Sequence, residues 1–160
     1  MGLLKYEDFP AGEIIEYGAY KITAGEIISF ALEYDPQAFH TDPEAAKTLM
    51  LGGHAASGWH TACVWMKLMI AERDRRDAGL LERGLRLPAP GPSPGFRQMR
   101  WNAPVFSGDT VTYDSIIAEK RVSASRPGWG LVFFHNSGVN QHGVKVFEFR
   151  GSAFWERRGV

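Results

Sequence analysis

The sequence contains a single cysteine, no excess of either charge and no long apolar run. Cys63 has no second cysteine to pair with, which excludes an intrachain disulfide. Lysine plus arginine and aspartate plus glutamate number 18 each, so we expect neither nucleic acid nor an anionic membrane as a partner. No apolar stretch approaches the roughly 20 residues that span a bilayer, and no secretory signal pattern opens the chain. These absences predict a cytoplasmic protein.

The length and composition favour one domain. With 160 residues and a hydrophobic content of 44%, the chain can bury one sizeable core but is short for two. We therefore expect residues 1–160 to form a single domain.

The first half of the chain carries helix signals. Thr23 and Glu26 fit a capping box, so a helix is predicted from Ala24 until Pro36 disfavours helical geometry at Asp35. Its apolar face is expected to include Tyr34. Two further helices are predicted at 43–49 and 57–76, the second one long and largely buried.

The second half has the texture of strands. The proline-rich segment 88–95 predicts an exposed loop or crossover, because it suits neither a helix nor a central strand. Runs rich in β-branched and aromatic residues then predict strands at 99–106, 110–121, 130–140 and 144–155, the last two forming a hairpin. Early helices followed by hairpin-linked strands indicate an α+β domain, with a mostly antiparallel sheet covering the long helix.

Asp35 and His40 are the strongest candidates for chemistry. On one continuous helix, residues five apart would point about 140° away from each other at about 3.6 residues per turn. Because Pro36 breaks the helix, a loop carrying His40 can return the imidazole toward the carboxylate. If Tyr34 and Phe39 desolvate Asp35, its pKa should rise, as suits a general acid or base. The alternative is that Asp35 only closes a turn and His40 only bonds a carbonyl.

A metal site is the competing interpretation of this segment. Potential ligands within a short span are Asp35, His40, Asp42, His54 and His60. Their spacing argues against it, because Asp42 suits a helix cap, His60 falls on another helix and no paired-ligand motif is present. We expect no metal and no organic cofactor.

Ser57 and Gly58 open the longest predicted helix. The first amides of a helix have no intrahelical partner and its dipole favours negative charge, so this position suits a carbonyl oxygen. Gly58 would allow the close approach of a ligand; the alternative is an ordinary serine cap followed by a glycine that serves close packing. Cys63 is expected to be a small core residue of the same helix.

Three segments together resemble the MaoC-like dehydratases, relatives of the (R)-specific enoyl-CoA hydratases. They are YDPQAFHTDPEAA at 34–46, ASGWHTA at 56–62 and WNAPVFSGDT at 101–110. The resemblance extends from about residue 9 to residue 155. Two positions depart from the usual hydratase pattern: Pro36-Gln37 stands where an Asn-Pro is usual, and Ser57 follows Ala56 where A-H-G is usual.

The resemblance implies a hotdog fold, with an antiparallel sheet wrapped around a long central helix and an additional strand at about 14–20. It implies a homodimer or higher homo-oligomer, and an acyl-CoA thioester as substrate. By the same resemblance, Asp35 and His40 activate water, while amides near Ser57 and Gly58 polarise the thioester oxygen. The expected activity is reversible enoyl thioester hydration. The alternatives are a hotdog acyl-CoA thioesterase and a non-catalytic module that binds acyl thioesters.

Overall fold

The structure, a computed structural model, describes residues 5–87, 89 and 91–159. A single 3-10 turn, Tyr6–Asp8, precedes the regular elements. In chain order these are β1 (Ile14–Lys21), α1 (Ala24–Tyr34), α2 (Ala38–Thr41), α3 (Pro43–Ala46), α4 (Gly58–Glu82), β2 (Gly95–Trp101), β3 (Thr110–Val122), β4 (Trp129–Asn140) and β5 (Lys145–Glu156).

The five strands form one antiparallel sheet in the order β1-β3-β4-β5-β2. Helix α4 packs on one face of this sheet, and no helix in the described part of the chain covers the opposite face, which we call the outer face. The α+β architecture predicted from the sequence is therefore confirmed. The predicted β4–β5 hairpin is also confirmed, and Gly143, at φ 77°, provides the left-handed residue of its turn.

Helix α1 begins and ends where the sequence predicts. The Thr23 hydroxyl accepts a hydrogen bond from the Glu26 amide at 3.3 Å, and a Glu26 carboxylate oxygen accepts one from the Thr23 amide at 3.0 Å. One expectation for this helix is wrong. Tyr34 is 66% exposed, so it does not belong to the apolar face and does not desolvate its neighbour Asp35.

The segment after Pro36 differs from the prediction. His40 does not lie in a loop but in the single helical turn α2, and α3 ends at Ala46, before the predicted residue 49. Asp42 separates the two turns and caps the second, accepting hydrogen bonds from the amides of Glu44 and Ala45 at 2.9 and 3.0 Å. Four-residue turns are too short to produce a helical periodicity in the sequence.

Helix α4 is longer and less buried than predicted. It continues past residue 76 to Glu82, and Leu80 in this added part is buried. Glu72 forms ion pairs with Arg75 and Arg76 just before it. Val64 and Trp65 are buried against the sheet, but Cys63 is exposed, contrary to the prediction that it is a core residue. The described helices include none with the length and apolarity needed to cross a membrane.

Strand β2 also begins earlier than predicted. It starts at Gly95 and ends at Trp101, whereas the sequence placed the strand at 99–106. Of the predicted proline-rich loop, residues 88 and 90 lie outside the described part of the chain. Residues 102–106 leave the sheet and run beside the start of α4, where Phe106 forms an isolated bridge with Ala55.

The core between α4 and the sheet supports the start of α4. Its buried members include Ile22, Ile27, Ala56, Val64, Trp65, Val105, Val111, Tyr113 and Phe147. The Ala56 amide donates a 2.8 Å hydrogen bond to the Val105 carbonyl, which ties the residues before α4 to the core. A second cluster, at the other end of the sheet, contains Phe9, Ile15, Ile117 and Val132.

Candidate active site

Asp35 lies at the point where α1 stops. Its amide still donates a 2.9 Å hydrogen bond to the Ala31 carbonyl, but its own backbone, at φ −152° and ψ 66°, has left the helical region. Pro36 accounts for this change, because the ring of a proline disfavours helical geometry at the preceding residue. The Asp35 side chain can therefore turn away from α1 toward the beginning of α4.

His40 is brought back to Asp35 by the turn α2. Its side chain is 6% exposed, and Nε2 lies 3.4 Å from Asp35 Oδ2. Its Nδ1 lies 2.6 Å from the carbonyl oxygen of Ala55. Because a carbonyl only accepts, Nδ1 carries the proton, and in the neutral imidazole Nε2 presents its lone pair toward the carboxylate.

Hydrogen bonds from the segment 54–55 hold the His40 turn in place. His54 Nε2 donates to the His40 carbonyl at 2.8 Å, and the Ala55 amide donates to the Phe39 carbonyl at 3.2 Å. Sequence reasoning treated His54 only as a possible metal ligand and missed this supporting role. No local pattern around His54 indicates this hydrogen bond, because its partner His40 lies 14 positions earlier in the sequence.

The Ser57 hydroxyl makes a contact that the sequence did not predict. Its hydroxyl, on a residue that is 1% exposed, donates a 2.7 Å hydrogen bond to Asp35 Oδ2 and accepts one from the Trp59 amide at 3.3 Å. Gln37 Nε2 donates to the other carboxylate oxygen at 2.6 Å. The Asp35 carboxylate is therefore held from both sides, with one of its two oxygens facing His40.

The pKa of Asp35 is lowered, not raised. Partial burial is the largest single influence and acts to raise it, but the hydrogen bonds from Gln37 and Ser57 and the positive charge of a protonated His40 outweigh burial together. The expectation of a raised pKa was wrong, because donors to the charged form were not visible in the sequence. The group is therefore a carboxylate over most of the pH range, which suits a proton acceptor.

The Trp101 indole occupies the space beside the Cα of Gly58. A Cβ added at Gly58 would lie 2.6 Å from Trp101 Cε2, and the indole Nε1 donates a 2.7 Å hydrogen bond to the Gly58 carbonyl. The glycine is thus required for packing on the side of its Cα. Trp59 meets the same indole edge to face, with ring centroids 5.4 Å apart, and these two rings flank the start of α4.

The backbone amides at the start of α4 remain available. Among the hydrogen bonds of the described residues, none supplies an acceptor for the Ser57 or Gly58 N–H, whereas the Thr61 N–H is bonded to the Ser57 carbonyl at 3.1 Å. Free amides at a helix start, together with the helix dipole, favour a negatively charged oxygen.

The potential metal ligands do not converge. Within the described residues, no group of three or more His, Cys, Asp and Glu side chains is arranged to hold an ion. Asp42 caps α3, and His60 stacks on Phe30 with centroids 4.8 Å apart and ring planes 8° from parallel. Burial lowers the pKa of His60 and outweighs the nearby charge of Glu26, so His60 is a packing residue behind the pair.

The chain matches a known protein family and is similar to solved structures. Residues 10–127 match the family described as the MaoC like domain. The chain belongs to the MaoC-like dehydratase family. A MaoC-like dehydratase from Rhodospirillum rubrum is similar in structure, with a TM-score of 0.80, 32% identity and coverage of 98% of this chain and 99% of that one.

Two further relatives of this MaoC-like chain are more distant. The uncharacterized protein YdeM of Bacillus subtilis (strain 168) is 28% identical over 145 residues, which cover 91% of this chain and 94% of YdeM. The (R)-hydratase PhaJ1 of Pseudomonas aeruginosa shares the fold, with a TM-score of 0.69 at 18% identity over 97% of this chain and 87% of that one. The hotdog fold and the strand at residues 14–21 are confirmed. Family membership supports a hydratase or dehydratase, while the roles of Asp35, His40, Ser57 and Gly58 stay predictions.

Proposed function

We propose that this MaoC-like protein catalyses the reversible hydration of a trans-2-enoyl thioester, a coenzyme A ester, to the 3-hydroxyacyl thioester. The observation that carries the proposal is the 3.4 Å separation of His40 Nε2 and Asp35 Oδ2 beside the unbonded amides at the start of α4. The proton acceptors and the oxyanion donors of the reaction are then on neighbouring residues.

The pair is suited to hold one water molecule. With Nδ1 donating to Ala55, a neutral His40 presents Nε2 as an acceptor, and the Asp35 carboxylate is also an acceptor. Two acceptors that face each other repel unless protons lie between them. A water that donates one hydrogen bond to each satisfies both, and its oxygen lone pairs then point away from the pair toward the substrate.

Addition proceeds as the water oxygen forms its bond to C3 of the enoyl group. One proton of the water passes to the pair, and the electrons of the C2–C3 double bond move toward the thioester oxygen, giving an enolate. The pair then returns a proton to C2 and the carbonyl re-forms. General acid–base catalysis of this kind contributes roughly 10²–10⁴-fold to a rate. One water is added in total, and the reaction as written needs neither metal nor organic cofactor.

The developing negative charge is assigned to the amides at the start of α4. The Gly58 N–H, with the dipole of a 25-residue helix behind it, is the principal donor. Donors of this kind typically contribute about 2.7–4 kcal/mol each to the stabilisation of a transition state. Ser57 acts through its hydroxyl instead, by fixing Asp35 Oδ2 where it can share the water with His40.

The proposal is tested with crotonyl-CoA, by following the loss of enoyl absorbance and the release of free thiol in parallel. We expect loss of absorbance without thiol release. Thiol release without hydration would overturn the proposal in favour of a thioesterase. Binding of the thioester with neither reaction would favour the non-catalytic module.

We further propose that the chain works in the cytoplasm as a homodimer or higher homo-oligomer. Edge strand β2 is largely exposed, and Phe96 on β2 and Met66 on α4 are large apolar residues left open to solvent. A second copy would cover such surfaces. Light scattering that gives only the monomer mass at micromolar concentration would contradict this.

A further inference from the structure

The outer face of the sheet carries two arginines side by side. In the strand register Arg97 of β2 lies directly opposite Arg150 of β5, and Arg150 lies opposite His135 of β4. Residues directly opposite each other across an antiparallel pair project from the same face, so the three side chains form one row. Like charges at such positions destabilise a sheet unless something of opposite charge lies between them.

Within the described residues, no carboxylate is paired with these arginines. Within the described part of the chain, no ion pair and no side-chain hydrogen bond involves Arg97, Arg121 or Arg150. Arginines elsewhere do: Arg75 is paired with Glu72 at 2.8 Å and Arg86 with Glu156 at 3.1 Å. Arg97, Arg121 and Arg150 therefore differ from Arg75 and Arg86, whose charges are balanced by carboxylates.

The three arginines line one groove. It has a volume of about 750 Å³, and its walls include Arg97, Arg121, Arg150, His135, Phe133 and Phe154. The Arg121 guanidinium lies 5.3 Å from the centre of the Phe133 ring, a cation–π contact that holds it along the groove wall. Glu119 is the one carboxylate among the lining residues, so the groove carries a net positive charge.

We propose that this groove binds a nucleotide carrying two or more phosphates. The planar guanidinium group makes paired hydrogen bonds to phosphate oxygens, and adjacent arginines suit adjacent phosphates. The guanidinium planes of Arg121 and Arg126, which lie over the Phe133 and Phe154 rings, offer surfaces on which a base can stack, which a simple inorganic anion would not use. The volume falls within the roughly 300–1,000 Å³ of small-molecule sites.

Such a nucleotide has two possible sources, a free nucleotide or the nucleotide end of a coenzyme A thioester. The second rests on the proposed function and is compatible with the geometry. Strand β2 leads from Arg97 to Trp101, which packs on Gly58, and four residues of strand span about 13 Å. A thioester bound at the start of α4 would have to extend along the sheet edge to reach the groove.

Binding is measured by calorimetric titration with ADP, and separately with inorganic phosphate. The test variant is Arg97→Ala/Arg150→Ala, and the matched control is Arg73→Ala/Arg75→Ala, which removes two exposed arginines from α4. We expect ADP to bind the parent and the control alike, and the test variant roughly tenfold more weakly or worse. Phosphate should bind more weakly than ADP.

Hydration kinetics with crotonyl-CoA and with crotonyl-pantetheine, which lacks the nucleotide, distinguish the two possible sources of the nucleotide. A KM that rises in the test variant for the coenzyme A ester alone assigns the groove to the substrate, whereas ADP binding with an unchanged KM assigns it to a free nucleotide. Because the ADP titration needs no turnover, it is independent of the hydratase assay. The proposal is overturned if the parent binds no nucleotide, if the test variant binds as well as the parent, or if the substitutions change only the oligomeric mass.

Discussion

The Asp35–His40 pair and the outer face of the sheet differ in how their charged groups are partnered. At the pair, Gln37 and Ser57 donate to the two carboxylate oxygens of Asp35 at 2.6 and 2.7 Å. On the outer face, Arg97 and Arg150 stand side by side without a carboxylate partner in the described residues. On the proposed roles, the group that transfers a proton is fixed before the substrate arrives, whereas the groups that bind an anion keep their charge free until the ligand neutralises it.

The largest expected effect comes from removing the fixed charge itself. Asp35→Asn keeps the size of the side chain but loses the proton acceptor, so we expect kcat for crotonyl-CoA hydration to fall roughly 10²–10⁴-fold. The loss is measured by enoyl absorbance, with thermal unfolding recorded on the same sample.

Asp42→Asn is the matched control for this substitution. It lies in the same segment and keeps an oxygen to cap the amides of Glu44 and Ala45, so its activity should stay near that of the parent. An Asp35→Asn variant as active as the parent would remove the pair from the mechanism and the contrast between the two regions with it.

A smaller effect is expected when the Asp35 carboxylate loses one hydrogen-bond donor but keeps its charge. Ser57→Ala removes the 2.7 Å hydrogen bond to Asp35 and the cap of α4, so we expect a roughly tenfold fall in kcat and about 1 kcal/mol of lost stability. KM should change less than kcat, because Ser57 orients the base and does not hold the substrate.

The pH profile distinguishes orientation from simple destabilisation. The folded pKa of Asp35 lies below its ordinary value, so activity that needs the carboxylate is lost only as the pH falls through that lowered pKa. Ser57→Ala removes one of the interactions that lower it, and the acidic limb of the profile should move to higher pH. A fall in kcat with an unmoved limb would mean that Ser57 is only a helix cap.

The smallest expected effect is on stability and concerns Glu26, whose carboxylate belongs to the capping box of α1. Hydrogen bonds from Thr23 and Tyr20 lower the pKa of Glu26 from 4.5 to about 2. Its folded pKa is the lower one, so its stabilising contribution is complete above about pH 4.5 and is lost as the pH falls toward 2. Glu26→Gln should cost about 1 kcal/mol near neutral pH and flatten the acid dependence of unfolding in that window.

Denaturant unfolding at several pH values measures this dependence. Glu16→Gln, at an exposed position of β1, is the control that should leave it unchanged. Equal acid dependence in the parent and Glu26→Gln would show that the capping box contributes nothing measurable.

Local sequence signals predicted the parts of the molecule that depend on neighbouring residues. The capping box set the start of α1, and Pro36 set its end. The strand texture gave β3, β4 and β5 nearly at their observed bounds, because branched and aromatic residues cluster there between clear turns. The bend between Asp35 and His40 followed from the same proline.

Contacts distant in sequence could not be predicted in this way. The Ser57 hydroxyl reaches Asp35 across 22 positions, and the Trp101 indole covers Gly58 across 43. Neither leaves a local pattern, so the lowered pKa of Asp35 was missed, and the packing alternative for Gly58 was offered without its partner Trp101. The end of α4 was missed for another reason: the charged residues at 72–77 suggest that the helix ends there, although Leu80 beyond them is buried.

The position of Trp101 suggests that intrinsic tryptophan fluorescence can report binding at the start of α4. Its indole is 42% exposed, is hydrogen-bonded to the Gly58 carbonyl and meets Trp59 edge to face. On the proposed function, a thioester whose oxygen reaches the Gly58 amide would lie close to these two rings. Tryptophan emission should therefore report occupancy in real time, without a label and in variants too slow to turn over.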